Sequence, residues 1–318
     1  MDRTFSIKTL GCKVNQYESS IIVDQFYENG WIPKSFGERA DIVIINTCTV
    51  TERSDKKCRN YIRQGTRFSK SGKILVTGCL VDRDLDGLRR MPGVSAVFKN
   101  DEKNAILASA NKSYELMNYS EGIPLSSRFD DCQPDNSQKN FHKKYQPETL
   151  SPHLRRRGFI KIQDGCDGVC AYCIVPTVRG APRSRGYHEI LEHSRRLIDI
   201  GCPELILTGI SIGRYFDEDR DLAKLIEDII TLDGKFRVRI SSIEPNHINA
   251  KLIDLFGSER LCPHIHLPLQ SGSDRILQMM KRPYTVGDYI KIVEKIKSIY
   301  QNIAVGTDII VGFPEENE

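Results

Sequence analysis

The sequence predicts an α/β protein: an N-terminal open parallel α/β sheet domain followed by a partial (β/α) barrel. Three observations predict it. Short apolar runs alternate with longer helical patterns along most of the chain, which is the mark of a parallel sheet with helices on its faces. The run Ile42-Val43-Ile44-Ile45 is continuously apolar, as a strand buried on both sides requires. In the second half, glycine, proline and polar residues gather just after each strand, where the loops of such barrels build their sites.

Residues 1–112 form the first domain. Strands are expected at 5–10, 41–46, 73–77 and 94–98, and helices near 16–29, 50–69, 82–91 and 101–111. Residues 113–156 read as a linker, because Pro124, Ser126, Ser127, Pro134, Asp135 and Asn136 break any regular pattern. The barrel portion covers 157–318. Its strands are expected at 159–163, 204–208, 237–242, 264–269 and 304–311, with helices near 186–200, 219–232, 247–256, 273–281 and 286–300.

Composition excludes several classes. The 318 residues are 39% hydrophobic and 28% charged, as in ordinary globular proteins. No run of 18 apolar residues exists, so no membrane partner is expected, and the first residues lack the apolar core of a secretion signal. The 10 cysteines are irregularly spaced, which suits metal binding in a reducing cytosol better than a disulfide framework; a cytoplasmic location is expected. A net charge of +4 permits a nucleic-acid partner without requiring one.

The run Gln163-Asp164-Gly165-Cys166-Asp167-Gly168-Val169-Cys170-Ala171-Tyr172-Cys173 carries the chemistry. Three thiolates on one tight loop can hold three irons of a cubane. A [4Fe-4S] cluster normally takes four cysteines, and no fourth follows within range, so one iron is left open. Zinc is the alternative, but its sites usually pair two C-x2-C units or add histidine, and this loop has one such unit and no nearby His.

Cys12, Cys48 and Cys79 are far apart, yet each closely follows an expected strand: Leu10-Gly11-Cys12, Asn46-Thr47-Cys48 and Thr77-Gly78-Cys79. In a parallel sheet the strand C-termini share one edge, so topology alone brings these thiols together as a second three-cysteine site. Three unrelated buried thiols are the alternative, and placement at the same structural position three times over argues against it. Cys58, Cys132, Cys202 and Cys262 show no such placement and read as structural or free thiols.

The cysteine loop resembles the signature of radical S-adenosylmethionine (SAM) enzymes, with Tyr172 at that family's aromatic position. Two three-cysteine sites on successive α/β domains resemble one branch, the radical-SAM methylthiotransferases. The resemblance runs through Gly11-Cys12-Lys13-Val14-Asn15-Gln16-Tyr17-Glu18-Ser19, Cys173-Ile174-Val175-Pro176, Leu207-Thr208-Gly209, Ser241-Ser242-Ile243-Glu244-Pro245, His266-Leu267-Pro268-Leu269-Gln270-Ser271-Gly272 and Asp308-Ile309-Ile310-Val311-Gly312.

It implies two [4Fe-4S] clusters. The one on Cys166, Cys170 and Cys173 binds SAM and cleaves it reductively, with electrons from a low-potential donor such as flavodoxin or ferredoxin. The one on Cys12, Cys48 and Cys79 carries the sulfur to be inserted. It places Thr208, Gly209, Ser242, Glu244, Gln270, Ser271, Ile310 and Gly312, with Tyr172, around SAM. The Lys13-Val14-Asn15-Gln16-Tyr17-Glu18 run looks like enzymes that modify threonylcarbamoyladenosine at position 37 of transfer RNA. Relatives acting on isopentenyladenosine or on a ribosomal-protein aspartate are the alternatives.

Phosphate contacts are expected from Arg155, Arg156, Arg157, Arg179, Arg183 and Arg185 near the cysteine loop. The basic residues Arg53, Lys56, Lys57, Arg59, Arg63, Arg67, Lys70 and Lys73 fit a solvated helix face better. The family continues past Phe313-Pro314 with more helix and strand and a small RNA-binding barrel of the TRAM type. The expectation is therefore a C-terminally truncated member, with a non-catalytic iron–sulfur protein as the competing class.

Overall fold

The structure is a computed structural model that describes residues 2–118 and 157–317. The expected linker beyond residue 118, with Cys132, Arg155 and Arg156, lies outside the described residues. The chain divides into two compact units, Met1–Ser151 and Pro152–Glu318.

The first unit is built on five parallel strands: β1 (Arg3–Thr9), β2 (Trp31–Pro33), β3 (Ile42–Thr47), β4 (Ile74–Gly78) and β5 (Val94–Phe98). Their order is β2-β1-β3-β4-β5. The connecting helices are α1 (Lys13–Glu28), α2 (Glu52–Phe68), α3 (Cys79–Arg83), α4 (Leu85–Arg89) and α5 (Ile106–Asn118). Side chains alternate across a strand, and this divides the core in two. Val43, Ile45 and Val76 pack with Ile62, Leu80 and Leu88 on one face. Ile44 and Leu75 pack with Ile22, Phe26, Ile106 and Ala110 on the other. Every residue of β3 is buried, as its unbroken apolar run required. Full burial of each large aliphatic side chain contributes about 1.5–3 kcal/mol.

Three differences from expectation are local. β2 is only three residues long, ends in Pro33, and sits at the sheet edge, so it has little pattern to read. The helix expected at 82–91 starts at Cys79 and breaks at Asp84, whose carboxylate accepts Gly87 N at 3.1 Å and caps α4. α5 continues to Asn118, past the expected linker boundary at 113.

The second unit begins with β6 (Gly158–Lys161), β7 (Gln163–Asp164), α6 (Val175–Arg179), β8 (Arg183–Ser184), α7 (Tyr187–Asp199) and β9 (Glu204–Thr208). It continues with β10 (Phe216–Asp217), β11 (Arg220–Asp221), α8 (Leu222–Ile230), β12 (Arg237–Ile240), α9 (Ala250–Asp254), β13 (His264–His266), α10 (Asp274–Met279), α11 (Val286–Ile299) and β14 (Ala304–Gly306). β6, β9 and β12 form one parallel sheet, and β13 pairs in parallel with β14. The segment before β13 closes on β12 through Val238 N to Arg260 O at 2.7 Å and Cys262 N to Val238 O at 2.8 Å.

The last strand is shorter than the expected 304–311. Beyond Gly306 only an isolated bridge joins Ile309 to Gln270. Ile309 and Val311 are exposed, so no packing holds them in a ladder.

Candidate active site

Strand order places the first thiol set. The chain leaves β1, adds β2 on one side, and returns to place β3 on the other. Such a reversal opens a crevice at the strand C-termini, where α/β sheets bind ligands. Cys12 lies three residues past β1, Cys48 directly after β3, and Cys79 directly after β4. Gly11 has φ +100, and a Cβ there would lie 2.8 Å from Cys48 Cβ and 3.0 Å from its Sγ. The first cysteine loop can therefore lie against the second only with glycine at position 11. Buried Asn15 ties the two loops by donating to Leu10 O and Thr47 O, each at 2.8 Å. Asn46 Nδ2 in turn donates to Asn15 O at 3.0 Å.

Burial pushes the Cys48 thiol up, and the nearby Cys79 and Cys12 add to the effect. Cys79 Sγ lies 3.7 Å from Asn100 Nδ2, and Asn100 Oδ1 accepts from Lys103 Nζ at 2.7 Å. Lys103 is itself in a buried ion pair with Glu18. Cys58 sits directly behind the set: its Sγ donates to Cys48 O at 3.2 Å and lies 3.3 Å from Cys48 N. Burial pushes its thiol up to about 11.

The second set sits on the loop after β7. Gly165 has φ +75, and a Cβ there would fall 2.1 Å from Ala181 O, so only glycine fits. Cys166 N donates to Gly180 O at 3.0 Å and closes the loop. Asp164 anchors its base by accepting from Gly165 N at 2.9 Å, Lys161 Nζ at 3.0 Å and Arg179 Nη1 at 3.0 Å. A Cβ at Gly168 would lie 3.1 Å from Cys166 Sγ and 3.8 Å from Cys170 Sγ, so both sulfurs flank that bare backbone. Burial raises the Cys173 thiol, with Cys170 and Cys166 adding to it.

Among the described residues no three His, Cys, Asp or Glu side chains converge to hold a single metal ion. A cubane needs no such convergence, because each thiolate binds a different iron. Soft thiolates, glycine backbone beside the sulfurs, and N–H donors aimed at Cys79 and Cys170 fit such a cluster at both places.

The residues expected around SAM follow the strand ends of the second unit. Thr208 closes β9 and Gly209 follows; a Cβ on Gly209 would fall 2.7 Å from Gln163 O. Ser242 Oγ lies 2.8 Å from His266 Nδ1. Glu244 pairs with Arg282. Gln270, at φ +74, accepts from Ile310 N at 2.8 Å. Ser271 is buried and its hydroxyl accepts Ser273 N at 3.2 Å, a local turn contact. Gly312 is exposed, and its N–H goes to Glu316 Oε2 at 2.6 Å rather than to any of the others. Tyr172 is exposed along one side, and desolvation of its phenol pushes its pKa up to about 12.

One expected phosphate contact is corrected. The Arg179 side chain is 1% exposed and paired with Asp164, so its charge anchors the cysteine loop and does not face solvent. Arg185 is partly buried against Glu189 and His193. Arg183 is exposed, and Arg157 is exposed with Glu204 3.5 Å away.

Gln163 and Arg282 were not singled out from the sequence. Gln163 is 1% exposed and uses its whole amide: Nε2 donates to Asp164 O and Gly165 O, and Oε1 accepts from Ile210 N and Ser211 N. A glutamine inside a strand pattern was the one available signal. Arg282 had none, since it is 112 residues from the sulfur it touches.

The fold and its strand-end thiols define an α/β protein of the radical-SAM class. Residues 160–318 match the Radical SAM superfamily, and residues 4–99 match a family described only as uncharacterized protein family UPF0004. The chain is 36% identical over 322 residues to the threonylcarbamoyladenosine tRNA methylthiotransferase MtaB of Bacillus subtilis (strain 168), covering 99% of this chain and 68% of that protein. It is 34% identical over 334 residues to the tRNA-2-methylthio-N(6)-dimethylallyladenosine synthase of Lawsonia intracellularis, covering 100% of this chain and 71% of that one. Among solved structures it is similar to the radical SAM methyltransferase TsrM of Kitasatospora setae, with cobalamin and [4Fe-4S] cluster bound. The TM-score is 0.66 at 15% identity, over 100% of this chain and 71% of that one, a likeness of fold. The chain belongs to the radical-SAM tRNA methylthiotransferase family. Membership makes it an enzyme of the transferase class, with a [4Fe-4S] cluster and SAM as cofactors. No helix among the described residues is long and apolar enough to cross a membrane.

Proposed function

We propose that this chain adds a methylthio group to C2 of N6-threonylcarbamoyladenosine at position 37 of transfer RNA. The observation that carries the chemistry is the pair of three-thiol sets, one after the parallel strands β1, β3 and β4 of the first unit and one on the single loop after β7 of the second. Cys166, Cys170 and Cys173 would hold the cluster that supplies one electron to SAM. Cys12, Cys48 and Cys79 would hold a second cluster bearing the sulfur. The residues at 208–209, 242–244 and 270–271, which follow β9, β12 and β13, would face SAM, while Gln163 and Asp164 hold the base of the cysteine loop. The partners are transfer RNA, SAM and a low-potential donor of the flavodoxin or ferredoxin kind, in the cytoplasm.

The choice of nucleoside rests on the MtaB names of the relatives at 34–36% identity. The dimethylallyladenosine synthase at 34% identity supports the second reading.

Anaerobic reconstitution should give about eight irons per chain. Alanine at Cys166, Cys170 and Cys173 should halve the iron and abolish 5′-deoxyadenosine formation from SAM and dithionite. Alanine at Cys12, Cys48 and Cys79 should halve the iron yet leave some SAM cleavage. Full iron in the second variant rules out the second cluster. Mass spectrometry of nucleosides from a deletion strain, with and without the gene restored, decides the acceptor: loss of the methylthio group only from dimethylallyladenosine overturns the proposed one.

A further inference from the structure

Arg282 lies in the loop between α10 and α11, and its side chain is only 4% exposed. A buried guanidinium is costly unless its donors are all used. Here they are divided among three groups. Nη1 lies 3.1 Å from Cys170 Sγ. Nη2 pairs with Glu244, which follows β12. Nε donates to Tyr284 Oη at 3.0 Å, and that phenol passes its own hydrogen to Pro268 O and Leu269 O at 2.9 and 3.1 Å.

The backbone repeats the docking. Ala171 N, next to Cys170, donates to Met280 O at 3.1 Å. Lys281, between Met280 and Arg282, has φ +57, a left-handed conformation uncommon outside glycine and asparagine. That turn directs Arg282 inward, so a strained backbone position is spent on delivering one cation to one sulfur.

We propose that Arg282 is a positioning residue that sets the reduction potential of the cluster on Cys166, Cys170 and Cys173, with Glu244 as the counter-charge that limits its effect. Reduction by one electron from a low-potential donor adds a unit of negative charge to the cluster and its thiolates. Hydrogen bonds to the sulfurs and local net charge are the protein's means of tuning that step. A guanidinium against Cys170 Sγ stabilises the reduced state and raises the potential. The Glu244 carboxylate partly cancels that charge and lowers it. Glu244 thus acts on the cluster through Arg282, whatever contact it makes with SAM.

The inference rests on the cluster reading of this loop, and the experiment separates the two. Full-length protein is reconstituted anaerobically with iron and sulfide. The electron paramagnetic resonance signal that changes on adding SAM is then titrated against potential. Arg282→Gln should move the midpoint lower, with the reduced-to-oxidised ratio at fixed potential falling about tenfold or more, as loss of a charge-assisted hydrogen bond implies. Arg282→Lys should recover part of the shift. Glu244→Gln should move the midpoint the other way, which a merely structural role would not do. Midpoints equal to wild type in Glu244→Gln and Arg282→Gln overturn the inference. If Arg282→Gln fails to fold, Glu244→Gln decides alone. A wild-type protein with no SAM-responsive signal overturns the cluster reading and this inference with it.

Discussion

Gln163 Oε1 accepts the backbone N–H of Ser211 at 2.7 Å, joining the base of the cysteine loop to the loop after β9. The same oxygen accepts Ile210 N at 3.2 Å, while Nε2 holds Asp164 O and Gly165 O. One buried amide therefore fixes where the thiols sit relative to Thr208 and Gly209.

Replacing Gln163 with Leu keeps the volume and removes four hydrogen bonds. Unsatisfied buried groups cost about 1–3 kcal/mol each, partly relieved by water. Gln163→Leu should lose about 2–5 kcal/mol in urea unfolding. It should also weaken SAM binding more than it lowers iron content, because the cysteines remain. Iron loss without change in SAM affinity per remaining cluster would contradict this role.

Gly78 adopts φ 100 and ψ −177 just before Cys79, a region open only to glycine. A Cβ there would lie 2.3 Å from Thr47 O and 2.5 Å from Thr47 N. Gly78→Ala should cost at least about 3 kcal/mol through strain and displacement of the β3 end. Iron should fall by half, from the first unit. Gly72→Ala is the control: it too has positive φ, at +71, but meets nothing within 4 Å, so its cost should stay near about 1 kcal/mol with full iron. Equal iron in the two variants would refute the argument.

His193 sits on α7, 5% exposed, with Nδ1 3.2 Å from Arg185 Nη1. Burial, then the Arg185 and Arg196 cations, push its pKa down from 6.5 to about 3. The folded state therefore resists protonation that the unfolded chain accepts. Stability from this group is complete above about pH 6.5 and falls as the pH drops toward 3, by about 1.4 kcal/mol per unit. His193→Gln keeps an acceptor for Arg185 and removes the titration. Unfolding between pH 4 and 7 should then show a shallower acid slope than wild type. Unchanged slopes would mean that other groups carry the acid sensitivity.

Much of the fold was legible because its signals are local. The apolar run in β3, the βα alternation and the helix of 187–199 follow from period-2 and period-3.6 patterning. The misses are where local pattern is thin: the three-residue edge strand β2, the break at Asp84, and the end of β14.

The sequence by itself determined the six cysteines and the glycines beside them, since their spacing and their position after strands are properties of the chain. Tertiary structure decided which partners they meet. The β2-β1-β3 order opens the crevice between Cys12 and Cys48. Burial turns Arg179 from a surface cation into the anchor of Asp164. A left-handed turn at Lys281 carries Arg282 to a sulfur 112 residues away. Charge has no periodicity to announce its partner: a guanidinium in solvent and one against a thiolate are the same letter, and only the packing that excludes water distinguishes them.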